Sequence, residues 1–172
     1  MENILVFAVL AALIISYRWV QLSALSYFLI FCFLCLHEVG AYYTYNDVPL
    51  GYWLKDTFHL RRNDYDRIVH FSFGLCWARP ARQLLMQLAR IRGVWSYVSP
   101  VSLVLSTSAI YEIIEAYTAQ MNPGEEERFV GMQGDVFDSE RDMTCALAGA
   151  VLTMVITAIL RMRRDTMPFR ED

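Results

Sequence analysis

Apolar positions in this chain gather into five long stretches, and short polar clusters punctuate them at one recurring end. Charge-free runs cover residues 3–17, 21–36, 94–111 and 143–160. A helix that crosses the hydrocarbon core takes about 20 residues, with about 17 as a lower limit. The last two runs reach that length unaided, and the first two do so once their flanks are counted. A fifth stretch begins near Asp66. It is apolar over 68–78 apart from His70, and Arg79, Pro80 and Arg82 then interrupt it. Its far end, Gln83-Leu84-Leu85-Met86-Gln87-Leu88, repeats apolar positions at helical spacing. We read one helix there, its arginines snorkelling to the headgroup zone. The pattern predicts an all-α polytopic membrane bundle, a single integral domain over 1–172. Its spans fall at about 3–18, 21–44, 66–90, 94–118 and 139–161. The segments 47–64 and 119–136 are the sizeable extramembrane pieces.

Composition agrees with that class. Hydrophobic residues make up 56% of the 172, and the mean hydropathy of +0.30 is high for a soluble domain. The formal charge of −3 conceals an asymmetry. With the segments antiparallel, one side collects Arg18, Arg79, Arg82, Arg90, Arg92, Arg161, Arg163, Arg164 and Arg170 against only Asp165, Glu171 and Asp172. Basic residues near span ends favour the cytoplasm, so the N-terminus is expected outside and the C-terminus in the cytoplasm. Nothing in this balance points to nucleic acid. Met1-Glu2-Asn3 is no basic leader region, which favours a retained first helix over a cleaved signal. Cys32, Cys35, Cys76 and Cys145 all fall in apolar segments, where cysteine acts as a small hydrophobe, and they imply no disulfide framework.

The polar clusters then share one membrane depth at the outer face. They comprise His37-Glu38, Asp66-Arg67-x-x-His70, Glu112-x-x-Glu115 and Asp135-x-x-Asp138-x-x-x-Asp142. Ionisable groups at membrane depth are costly and usually face a bundle interior. Asp66 read alone is an ordinary helix-start aspartate, and Asp135 an ordinary member of an acidic helix start. His70, Glu112 and Asp142 are harder to leave in lipid, because each abuts or enters an apolar run. Carboxylates at such spacing repel unless a cation or arginine compensates. Oxygen-rich sets suit hard divalent cations, and an added histidine admits zinc or manganese. The candidate metal ligands are therefore His70, Glu112, Asp138 and Asp142, holding Zn, Mn or Mg. His70, Glu112 and Asp142 are also the catalytic candidates. Arg62, Arg67, Tyr65, His37 and Gln133 are the candidate binding residues around them.

Tyr42-Tyr43-Thr44-Tyr45, Arg62-Asn63-x-Tyr65-Asp66-Arg67-x-x-His70-Phe71, Tyr111-Glu112-x-x-Glu115 and Gly131-x-Gln133-Gly134-Asp135-x-x-Asp138-x-x-x-Asp142-Met143 together resemble the bacterial YjdF family of inner-membrane proteins. The resemblance runs from about His37 to about Ala150. It implies a multi-pass protein of the bacterial inner membrane and implies no reaction. More distantly, the order Asp-Arg-x-x-His, Glu-x-x-Glu and a late Asp is similar to the VanZ-like proteins. Those more usually carry Gln where this chain has Glu115, and Asn where it has Asp142.

Three functions fit these residues. One is a metal-dependent hydrolase or transferase acting on a lipid or lipid-linked substrate, with an arginine on the anionic head group and His70 or Glu112 as acid or base. Another is a non-catalytic protein that binds or moves a cation, a proton or a small solute. The third is a structural network in which arginines and acids fix helix register. No gate or inverted repeat marks a transporter, and the expectation leans to the enzyme. Oligomeric state is not legible here.

Overall fold

The computed structural model describes residues 3–121 and 135–166, with side chains described to Arg163. Among them every regular element is a helix: α1 (Ile4–Ser16), α2 (Ala24–Tyr42), α3 (Pro49–Phe58), α4 (Tyr65–Leu88), α5 (Trp95–Met121) and α6 (Asp138–Thr166). The expected all-α membrane bundle is present. Three helices are both long and apolar enough to cross a membrane: Ala24–Tyr42, Trp95–Met121 and Asp138–Arg163. The fourth, α4, has the length, 24 residues or about 36 Å at 1.5 Å per residue, but not the apolarity. In contrast α1 is apolar but stops after 13 residues, about 20 Å, so it is shorter than the span expected over 3–18.

The least apolar long helix holds the centre. α2, α5 and α6 all pack on α4, and α6 does so most extensively. Pro80 is buried inside α4 and the helix runs through it, as the single-helix reading expected. One core forms where α2 meets α4, from Ile30, Phe33, Leu34, Val69 and Cys76, with α1 laid against it through Leu5, Val6, Val9 and Leu13. A second joins α4, α5 and α6 through Ala78, Val104, Ala146, Ala150 and Met154. Outward-facing Phe28, Phe31, Ile110, Ile113, Val151 and Ile156 stay exposed, as surfaces that meet lipid do.

The α4–α6 contact is unusually close. A Cβ at Gly74 would overlap the backbone carbonyl of Ala146, and one at Gly149 that of Phe71. Small residues let membrane helices approach backbone to backbone. The Thr153 hydroxyl ties the same pair by donating to the Leu75 carbonyl at 2.7 Å.

The segment 47–64, expected as a loop, contains a helix. Pro49 opens α3, and His59 ends it in the left-handed region at φ 53°. Asn63 latches it down. Its amide donates to the carbonyls of Asn46 (2.9 Å) and Val48 (3.1 Å), while its oxygen accepts from the Tyr65 backbone N–H (3.1 Å). Arg62 is thereby delivered at the mouth of α4.

Candidate functional site

Three helices each contribute a pair of side chains one turn apart: Asp66 and His70 from α4, Ser108 and Glu112 from α5, Asp138 and Asp142 from α6. An i, i+4 spacing puts both members of a pair on one face. On α4 and α6 that face continues into the small residues, from His70 to Gly74 and from Asp142 to Ala146. The backbone approach at Gly74 and Gly149 is therefore what draws the carboxylates together one turn above it.

Two overlapping triads result. His70, Glu112 and Asp142 offer ligand atoms that all lie within 4.8 Å of one another, and so do Asp66, Asp138 and Asp142. Asp142 belongs to both. The His70 ring is oriented at each nitrogen: Nδ1 lies 3.3 Å from the Ser108 hydroxyl and Nε2 3.2 Å from Glu112 Oε1. A partner on the second nitrogen is the usual way a ligating histidine is held in one tautomer. Asp142 is 4% exposed and Glu112 7%; Glu112 Oε1 meets the His70 ring, yet Asp142 Oδ1 finds no hydrogen-bond partner. Buried carboxylate oxygens are ordinarily satisfied, so Asp142 Oδ1 points to something further at this site.

Arginine compensates part of the charge. Arg62, 6% exposed, bonds Asp66 and Asp138 and lies 3.3 Å from Asp64. Burial alone would lower its pKa, but Asp66 and Asp138 raise it further and hold the guanidinium charged. Arg67 reaches Asp64 at 2.9 Å, Asp135 at 2.7 Å and Asp138 at 3.6 Å. Arg141 also binds Asp135. Burial pushes the Asp135 carboxyl up, but the Phe137 N–H, Arg141 and Arg67 together hold it below the ordinary range. With Glu115, which stands close to Glu112 and Asp142, seven carboxylates (Asp64, Asp66, Glu112, Glu115, Asp135, Asp138 and Asp142) thus meet three guanidinium groups. Four negative charges are left for other cations or protons.

Not every expected residue joins this cluster. His70, Glu112, Asp138 and Asp142 do, although Asp138 sits in the aspartate triad and not with His70. Arg62 and Arg67 border it as ion-pair partners. Tyr65, expected to bind a ligand, is 1% exposed and donates its hydroxyl to the Leu36 carbonyl at 2.9 Å, so it anchors α4 on α2. His37 is buried on α2 with Nδ1 2.6 Å from the Tyr45 hydroxyl and with Phe33 beside it. These two contacts lie on the α2 side of α4. Gln133 lies outside the described residues, as do Gly131 and Gly134. Reading the sequence missed Ser108 and Asp64. The first was findable, since it precedes Glu112 by one helical turn.

With the geometry in place, comparison with known proteins identifies the family. Residues 1–163 match the family model described as a predicted membrane protein (DUF2238). The chain is 38% identical over 166 residues to the inner membrane protein YjdF of Escherichia coli (strain K12), which covers 95% of this chain and 79% of that relative. No solved structure matches. The chain belongs to the DUF2238 family and is an inner-membrane protein.

Proposed function

We propose, from the premise of that family membership, that the protein is a metal-dependent hydrolase or transferase acting on a lipid-linked substrate at the outer face of the inner membrane. The observation that carries the reading is the His70–Glu112–Asp142 triad, with the Asp142 Oδ1 buried and unpartnered. One nitrogen and several oxygens suit Zn, Mn or Mg. Three protein ligands leave coordination positions for water and substrate, the pattern of catalytic centres. A cation there would polarise a phosphoryl or ester oxygen and lower the pKa of bound water. The chain's own part is to hold the ligands. Ser108 fixes the imidazole, and the α4–α6 contact fixes Asp142. Arg67, 21% exposed and with Nε unpartnered, is the arginine suited to meet an anionic head group, whereas Arg62 is buried among aspartates. The outer placement rests on the arginine asymmetry along the sequence.

A second reading has its own support. Arg62 and Arg67 tie the start of α4 to the start of α6 through one buried and one partly buried ion pair, which is what a purely structural network requires. Elemental analysis of purified protein, then melting with and without chelator, separates the two. Stoichiometric metal whose removal lowers the melting temperature supports the enzyme and directs assays to phosphoester and ester lipids. Metal-free protein indifferent to chelator would leave the structural network.

A further inference from the structure

Asp142 is shared by two triads, and the two are occupied differently. In the histidine triad the Asp142 Oδ1 is buried without a hydrogen-bond partner, and Glu112 Oε1 meets the His70 ring. In the aspartate triad, Asp66 and Asp138 are both bonded by the Arg62 guanidinium. That triad has the dimensions of a cation site, with ligand atoms within 4.8 Å of one another, and its oxygen-only donor set is that of a hard divalent ion. Paired metal sites place two ions about 3.5–4 Å apart around a reacting oxygen. Here a side chain stands where the second ion would. A guanidinium is planar, permanently charged and matched to carboxylate geometry, so it neutralises the aspartates without an ion that can dissociate.

We propose that Arg62 is a built-in second cation. It fills the Asp66–Asp138–Asp142 position, so that the native protein holds one metal at the histidine triad and a second ion enters only when Arg62 is removed. The inference rests on the metal reading of the histidine triad, because Asp142 serves both positions. Its chemical consequence is a division of labour. The metal position supplies the activated water, while Arg62 supplies fixed positive charge beside it, since a guanidinium stabilises developing negative charge but does not ionise water.

The test uses the full chain in lipid nanodiscs with Mn²⁺ as the probe. Native protein and Arg62→Lys should each take up one equivalent and give the magnetic resonance spectrum of isolated ions. Arg62→Gln should take up two equivalents with an exchange-coupled spectrum, because Asp142 then bridges them. One equivalent and no coupling in Arg62→Gln overturns the proposal. Removing a buried charge can cost the fold, so folding is itself a readout. Arg62→Gln that folds only in Mn²⁺ supports the substitution of one cation for another. If it folds under neither condition, Asp138→Asn in the native background decides. Asp138 lines only the arginine-filled position, so native Mn²⁺ affinity should change by no more than about threefold, short of the 10- to 100-fold typical of supporting residues around a metal. A larger loss would make Asp138 a ligand of the occupied position and overturn the proposal. Native protein that binds no Mn²⁺ sinks the enzyme reading separately. Uptake of one uncoupled ion by Arg62→Gln would then still sustain the role of Arg62, and uptake of none would end both.

Discussion

Replacing Asp142 by asparagine keeps the volume of the side chain and removes its charge, so the sign of the stability change reports what the cluster holds. Asp142 has oxygens within 4.8 Å of ligand atoms on Asp66, Asp138, Glu112 and His70. At an effective dielectric of about 20, one pair of unit charges at that distance is worth about 3 kcal/mol. Asp142 faces Asp66, Asp138 and Glu112, with Glu115 close by, and Arg62 offsets part of the repulsion from the two it binds. In chelator, Asp142→Asn should therefore be more stable than the native protein, by about 1–3 kcal/mol. With metal at a hundred times its dissociation constant the native protein gains about 2.7 kcal/mol, and the variant, short of one ligand, gains little of it. For a chain of this size each kcal/mol moves the melting temperature by about 2–4 °C. The native protein should thus gain about 5–10 °C on adding Mn²⁺, as estimated from that slope, while Asp142→Asn stays nearly still. The assay is thermal melting of both proteins in nanodiscs, with chelator and with Mn²⁺. A native protein unmoved by Mn²⁺, together with an asparagine variant that is less stable in chelator, would refute the reasoning.

Three further outcomes are expected. A reporter fused after Asp172 should read cytoplasmic and one inserted near Pro123 external, and finding both on one side contradicts the arginine-based orientation. Gly149→Leu should destabilise by about 3 kcal/mol or more, since overpacking commonly costs 1–3 kcal/mol and a Cβ at Gly149 already overlaps the Phe71 carbonyl. Normal melting of that variant would show that α4 and α6 do not touch there. Asp135 is held below its ordinary value of 3.8, so its stabilising contribution is complete above that value and is lost as pH falls through the lower, folded-state value. An acid melting series should show this component in the native protein and not in Asp135→Asn, and parallel curves would count against the Arg67–Asp135–Arg141 link.

The class of fold and the location of the site were legible because both depend on one-dimensional pattern. Apolar runs long enough to span gave the helices, and polar clusters recurring at one end gave the depth of the site. The i, i+4 spacings of Asp66 with His70 and of Asp138 with Asp142 were likewise visible as shared faces. Partnership was not. Whether Arg62 meets a ligand or a carboxylate is decided by how far apart α4 and α6 stand, and that distance is set by Gly74 and Gly149, two residues with no polar signature. Asp138 was grouped with His70 by spacing along the chain, but the rotation of α6 against α4 sends Asp142 between the two triads and Asp138 to Arg62. Tyr65 and His37 misled for a related reason. A polar tip beside a polar cluster reads as part of it, yet a buried hydroxyl or imidazole takes whatever acceptor is nearest. For Tyr65 that acceptor is the Leu36 carbonyl, and for His37 the partner is Tyr45, whose ring folds back over Gly40 where a Cβ would lie 2.6 Å from it. Small residues thus determined which polar groups could meet, and a reading that looks only for chemistry passes over them.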